Sequence, residues 1–142
     1  MQSSILSTIQ TRFFQLALST AATPGSSGLL GNHLGKVATD VDDIAQCIPI
    51  ILHTPLGSDP HRPDFGSSVD DYLDYPINVA RPYIARECRR ALGRWEPRLD
   101  LVRVKVEPSD VAQLAVGIYW QIAAAYQGEI FVTNLAFGQL TT

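Results

Sequence analysis

The sequence predicts an α+β fold in which two or three helices pack on one side of a three-stranded antiparallel meander, with an added N-terminal amphipathic helix. Apolar residues recur at helical spacing in two segments between residues 40 and 95. After Pro97 the period shortens to two, as in a strand with one buried face. Two later apolar segments flank Tyr126-Gln-Gly128, which is typical of a tight reversal. We place the main domain at residues 40–142.

The N-terminal segment has the pattern of an amphipathic helix over residues 3–18. Its apolar residues fall on one side of the helix and its polar residues on the other. Turn-forming residues then cluster in Thr23-Pro-Gly-Ser-Ser-Gly28, so we predict an arm at residues 1–22 and a Gly/Ser-rich linker at residues 23–39. Such a tether allows the helix either to fold back on its own core or to dock into a neighbouring subunit.

The first helix of the main domain is predicted to start at the aspartates of residues 40–43, whose carboxylates suit an N-cap and a first turn. Pro49 removes one backbone hydrogen bond, so we expect a kink or a short break there. Thr54-Pro-Leu-Gly57 ends the helix, and a short helical turn over residues 68–73 is expected to bury Val69, Tyr72 and Leu73. The apolar stripe of the helix consists of Ile44, Cys47, Ile48, Ile51 and Leu52.

The second long helix is predicted to begin between Asn78 and Arg81, with Pro82 in its first turn, and to end near Gly93. Its inner side carries a second apolar stripe: Tyr83, Ile84, Cys88, Ala91, Leu92 and Trp95. Its outer side carries four arginines, which we call the basic row: Arg86, Arg89, Arg90 and Arg94.

Three strands are predicted after this helix. In the first, Val102, Val104 and Val106 alternate with charged residues. The second and third are expected at residues 113–125 and 129–137, and the only charged residue between positions 111 and 142 is Glu129. Soluble proteins normally protect an open sheet edge with Lys, Pro or a bulge, so this edge is covered either by the same chain or by a strand from another protein. We place the partner-binding edge at Glu129, Ile130, Phe131, Val132, Thr133, Asn134 and Leu135.

Charge is sorted along the chain. Eight aspartates and one arginine between residues 40 and 74 give a net charge of −7, whereas eight basic and three acidic residues between 81 and 105 give +5. The basic row therefore suits an acidic partner, although an ordinary solvated helix face would have the same composition. The overall charge of −3 gives no basic field for nucleic acid, and no apolar run reaches the roughly 18 residues that span a bilayer.

No catalytic residue, metal site or cofactor is predicted. Glu96 is the strongest carboxylate for a glycosidase, but a general acid must keep its proton, and Arg98 with the preceding arginines favours the ionised form. Cys47 and Cys88 lie on apolar helix faces, so we interpret them as small buried hydrophobes. One loop holds four residues that lack zinc-motif spacing and are expected to cap turns: His53, Asp59, His61 and Asp64.

Four motifs occur in order between residues 46 and 98: Gln46 with Ile50-Ile-Leu-His-Thr-Pro-Leu-Gly-Ser58, then Arg62-Pro-Asp-Phe-Gly-Ser67, Tyr75-Pro-Ile-Asn78 and Trp95-Glu-Pro-Arg98. Together they resemble the core signature of the W-type baseplate wedge family of contractile phage tails, which has relatives in type VI secretion baseplates. The resemblance extends over residues 28–137. It implies an α+β unit whose C-terminal strands start polymerisation of the tail sheath by strand exchange. It also implies that Glu96, Pro97 and Arg98 form a wedge-assembly motif that Trp95 anchors.

We therefore predict a non-enzymatic structural subunit of the virion tail baseplate, assembled in the host cytoplasm and present in several copies around the tail tube. Its expected partners are other wedge proteins and the tail sheath protein, with the tube or hub as further contacts. Nucleic acid and membrane are not expected as partners. The alternative is a tail-associated peptidoglycan hydrolase, since the family has carried a lysozyme-like label. A third class, a regulatory module on this fold, would form a stable one-to-one complex without ring assembly.

Overall fold

A computed structural model describes residues 14–16, 37–39, 41–110, 113–123 and 128–138. The chain divides into two compact units between Gln46 and Cys47. The elements within these ranges are β1 (Phe14–Leu16), β2 (Val37–Thr39), α1 (Val41–His53), a 3₁₀ helix (Asp70–Tyr72), α2 (Ile77–Trp95), β3 (Leu99–Asp110), β4 (Gln113–Ile122) and β5 (Phe131–Gly138). The predicted α+β architecture is confirmed, since the described residues form two α-helices and an antiparallel sheet in the order β3-β4-β5.

The first unit contains the antiparallel pair of β1 and β2, in which Phe14 lies opposite Thr39. Most of the helix predicted over residues 3–18 lies outside the described residues, as does the glycine and serine cluster at 23–28. The three described residues of that helix, Phe14–Leu16, form a strand, because pairing with Val37–Thr39 overrides their helical spacing. Val37–Thr39 is correspondingly a strand where a linker was expected.

Helix α1 carries the predicted apolar stripe. Ile44, Ile48, Ile51 and Leu52 are buried, and Cys47 is half-buried. The helix continues through Pro49 to His53, so the short break that we considered does not occur. Burial of the stripe offsets the single backbone hydrogen bond that a proline removes.

The loop after α1 is closed by main-chain contacts around Gly66. Ser67 N–H donates to the Thr54 carbonyl at 2.9 Å, and the Ser67 hydroxyl donates to the Leu52 carbonyl at 2.7 Å. Gly66 has a φ of +104°, and a Cβ placed there would lie 2.2 Å from the Thr54 carbonyl oxygen. Glycine is therefore required at this position. Beyond it, Val69 is fully buried as predicted, whereas Tyr72 and Leu73 are only half-buried.

Helix α2 begins at Ile77, directly after Pro76, so Pro82 lies in its second turn and not in the first turn as predicted. Tyr83 does not face the core: its side chain is 40% exposed and stacks on Tyr72 with ring centroids 5.1 Å apart. Trp95 is half-buried. The remaining predicted inner residues are fully buried: Ile84, Cys88, Ala91 and Leu92.

The sheet buries one face, with burial alternating along β4. A register shift between Leu101 and Arg103 forms a bulge, so Val102 is 45% exposed and the predicted inward alternation fails at that residue. Trp120 is fully buried and donates from its indole nitrogen to the Thr133 hydroxyl at 3.0 Å. Strand β4 ends at Ile122 and β5 begins at Phe131, while residues 124–127 of the predicted reversal lie outside the described residues.

Candidate assembly surfaces

The junction between α2 and β3 is built from Trp95 to Arg98. Trp95 donates from its indole nitrogen to the Asp64 carbonyl at 3.2 Å, and its ring meets the Phe65 ring edge-on at 5.1 Å. The Arg98 guanidinium donates from Nε to one Glu96 carboxylate oxygen at 2.6 Å and from Nη2 to the other at 2.7 Å. This two-point ion pair fixes the turn that leads from the helix into the sheet.

Glu96 is only 3% exposed, and both of its oxygens accept hydrogen bonds from Arg98. The Arg98 guanidinium therefore occupies both Glu96 oxygens, whereas the acid of a glycosidase must present a proton to its substrate. Pro97 is exposed and Arg98 is half-buried, so this motif still offers a surface to a partner. The geometry suits a structural corner better than proton transfer.

The basic row lies on the exposed side of α2, as predicted. Arg86 and Arg90 both pair with Glu87, at 3.8 and 2.8 Å, and Arg94 pairs with Asp64. Within the described part of the chain, Arg89 has no carboxylate at ion-pair distance. Three arginines thus share two carboxylates, Glu87 and Asp64, which offset two of the four positive charges. The net positive field of the basic row is therefore weaker than its number of arginines suggests.

Glu87 is a buried carboxylate that sequence reasoning missed, since its residue is only 7% exposed. The sequence feature that indicates its burial is its spacing, three residues after Ile84 and four before Ala91, which places Glu87 on the buried stripe of α2. Its partner Arg90 follows three residues later and reaches back over the same turn.

Strand β5 forms one edge of the sheet, and no strand among the described residues pairs with its outer side. The Ala136 carbonyl points outward, because it lies 3.2 Å from Nε2 of His53. Hydrogen-bonding directions alternate along a strand, so the N–H and C=O groups of Val132 and Asn134 point outward too. Both residues are exposed. Of the predicted edge residues, Val132 and Asn134 therefore present main-chain groups outward, whereas Phe131, Thr133 and Leu135 turn theirs toward β4.

Strand β3 forms the opposite edge and is protected. The Arg81 side chain donates from Nε to the Val106 carbonyl at 3.1 Å, which occupies an outward-facing acceptor. Pro108 has no N–H, and the bulge at Val102 twists the strand. A shallow cavity of about 290 Å³ runs along this edge, lined by Arg81, Arg103, Val104, Lys105, Val106 and Glu107. The Arg81 hydrogen bond, the proline and the bulge are features that commonly stop a sheet from adding a strand at its edge.

The structure does not bring together at one site the four residues that were predicted to cap turns: His53, Asp59, His61 and Asp64. Asp59 accepts a hydrogen bond from the His61 N–H at 2.9 Å, and that bond lowers the pKa of the Asp59 carboxyl. Asp64 pairs with Arg94, and His53 contacts β5. No group of three metal-ligating side chains occurs within the ranges that the structure describes. Burial of Cys88 raises the pKa of its thiol to about 12, as expected for a small buried hydrophobe.

Residues 38–127 match the model of the family described as baseplate wedge protein gp25. The chain is 35% identical to baseplate protein W of Escherichia phage P2 over 88 residues, which cover 61% of this chain and 76% of that protein. No helix in the described ranges is long and apolar enough to cross a membrane.

Two solved structures share the fold. One, named as a candidate tail lysozyme from Geobacter sulfurreducens, has a TM-score of 0.58 and 31% identity, and the match covers 70% of this chain and 92% of that one. The other comes from the baseplate complex of the type VI secretion system, with a TM-score of 0.58, 18% identity and coverage of 70% and 93%. At 18% identity, the similarity to the second structure shows a shared fold and nothing more. Because the family model spans more than half of the sequence, the chain belongs to the gp25 baseplate wedge protein family.

Proposed function

We propose that this chain is a non-enzymatic baseplate subunit of a contractile tail that starts sheath polymerisation by accepting a strand of the tail sheath protein on the outer side of β5. One observation carries the proposal: in this member of a baseplate wedge family, one sheet edge is protected and the other has no partner strand among the residues that the structure describes. The unpaired edge presents the main-chain groups that strand addition needs.

The contrast between the two edges supports β5 as the docking strand. Strand β3 has a bulge, a proline and an arginine that blocks a carbonyl, whereas the described residues of β5 include no charged side chain and no proline. An exposed, uncharged edge is an aggregation hazard in a protein that works alone. Such an edge is understandable if another subunit completes it in the assembled particle.

Contact with other wedge proteins is proposed at two surfaces. The first is the corner of Trp95, Glu96, Pro97 and Arg98, where the internal ion pair holds Pro97 out toward solvent. The second is the basic row, where Arg89 offers a cation to an acidic partner. The tail tube or hub is a further proposed contact, and the virion tail baseplate, assembled in the host cytoplasm, is the proposed location.

Substitution of Asn134 tests the strand addition. Asn134→Pro removes an outward N–H without removing a hydrogen bond to β4, so the fold is expected to survive while sheath recruitment fails. Asn134→Ala is the matched control, because it removes the same side chain but keeps the N–H. The assay is expression with the other baseplate proteins and sheath protein of the same particle, with sheathed tails counted by electron microscopy. Equal sheath assembly by the two folded variants would contradict the proposal.

The hydrolase alternative is favoured by one observation, the name given to the Geobacter sulfurreducens relative. Purified protein incubated with peptidoglycan separates the two functions. We expect no release of soluble fragments from the wild type. Fragment release that Glu96→Gln abolishes, with assembly intact, would favour the enzyme.

A further inference from the structure

The C-terminal end of α1 places an imidazole against the open edge of the sheet. His53 is the last residue of α1, and its Nε2 lies 3.2 Å from the Ala136 carbonyl oxygen. Its ring stacks on the Phe137 ring, with centroids 4.6 Å apart and planes 15° apart. The ring therefore covers β5 at Ala136 and Phe137 and leaves the first half of the strand uncovered by this contact.

Local bonds hold the ring in that position. Nδ1 of His53 lies 3.0 Å from the Pro49 carbonyl, one turn earlier in α1. The hydroxyl of the next residue, Thr54, donates to the Ile50 carbonyl and closes the last turn of the helix. A neutral imidazole has one N–H, so it donates to one of its two carbonyl neighbours at a time. The stacked ring occupies the space that an added strand would need beside Ala136.

We propose that His53 is an edge cap, which ends strand addition on β5 after Asn134. The cap itself requires only the contacts of this chain. The identity of the incoming strand rests on the proposed function. An added strand then pairs with the outward groups of Val132 and Asn134 and stops before Ala136. The cap sets the register of the partner, since a strand shifted by two residues would collide with the imidazole.

The cap also protects the free protein. Outward-facing main-chain groups occur at Val132, Asn134, Ala136 and Gly138, and two copies could pair along the whole strand if the ring were absent. With His53 in place, the continuous run of outward groups before the ring is limited to Val132 and Asn134. A short edge is a common means by which proteins avoid edge-to-edge association.

Self-association of the purified protein tests the cap without any partner. His53→Ala removes the ring, and we expect it to dimerise at a concentration at least tenfold lower than wild type in sedimentation velocity. His61→Ala is the matched control, because His61 is an exposed loop histidine, and it is expected to sediment like wild type. Adding Asn134→Pro to His53→Ala should abolish the gain, because the edge then lacks a central donor. Identical association by folded His53→Ala and His61→Ala would overturn the cap.

A second measurement uses the unchanged chain, in case His53→Ala does not fold. Amide hydrogen exchange is followed by NMR for the protein with and without its sheath protein. The cap predicts slower exchange for the Val132 and Asn134 amides and no change for the Ala136 amide. Equal protection of all three overturns the cap and leaves the proposed function standing. If none is protected, the proposed function fails, while the sedimentation result still decides the cap.

Discussion

Replacing Gly66 by alanine is the sharpest test of how the loop between α1 and α2 is held. The main chain at Gly66 has a φ of +104°, a conformation that residues with a Cβ rarely adopt. Placing such a residue there costs about 1–3 kcal/mol of stability. The new methyl group would also lie 2.2 Å from the Thr54 carbonyl oxygen, which is a main-chain atom and cannot rotate away.

Relief of that overlap requires the Thr54 carbonyl to move, and this carbonyl accepts the Ser67 N–H at 2.9 Å. Loss of the bond adds about 1 kcal/mol, so we expect Gly66→Ala to lower the free energy of unfolding by about 2–4 kcal/mol. A domain of this size typically has about 5–15 kcal/mol in total, so the variant is expected to fold but with a clearly lower urea midpoint.

Gly93→Ala is the matched control. Gly93 lies in α2, and apart from its chain neighbours and the adjacent main chain of the same helix, no atom lies within 4 Å of a Cβ placed there. Alanine is a better helix former, so this variant is expected to gain about 0.5 kcal/mol. Both variants are measured by urea unfolding with tryptophan fluorescence and circular dichroism. If Gly66→Ala unfolded at the same urea concentration as Gly93→Ala, the strain assigned to Gly66 would be refuted.

Two further predictions concern buried ionisable groups. Glu96→Gln is expected to lower the free energy of unfolding by about 2 kcal/mol, because it removes the carboxylate that pairs with half-buried Arg98. Glu107→Gln, at an exposed ion pair, is expected to change the free energy of unfolding by less than about 0.5 kcal/mol. Equal urea midpoints for the two variants would contradict this prediction. Cys88 has a thiol pKa raised to about 12 from 9.0, so its folded form keeps a proton that the unfolded chain loses. Stability is therefore expected to fall between pH 9 and pH 12, at up to about 1.4 kcal/mol per pH unit, and the loss should be absent from Cys88→Ala.

The fold was predictable wherever the apolar period was long and regular. Helices α1 and α2 follow stripes of buried residues, and the meander follows from the uncharged segments and their alternation. The errors lie where local spacing competes with pairing. Phe14–Leu16 pairs with Val37–Thr39, a strand whose position the helical pattern does not reveal. Val102 lies at a bulge, which shifts the alternation by one residue.

The candidate surfaces were predictable in position but not in detail. The Glu96 to Arg98 ion pair follows from two neighbouring charges, and the exposed basic row follows from helical spacing. The cap by His53 depends on a contact across 83 positions, which sequence spacing does not encode. The same is true of the bond from Arg81 to Val106 that distinguishes the protected edge from the open one.

The most direct test of strand addition is an image reconstruction of the assembled particle at a resolution that traces the main chain beside β5. We predict that a strand from the sheath protein lies there, hydrogen-bonded to the outward N–H and C=O groups of Val132 and Asn134 and ending before Ala136. An edge that is bare in the intact particle, or sealed by another segment of the same chain, would contradict it.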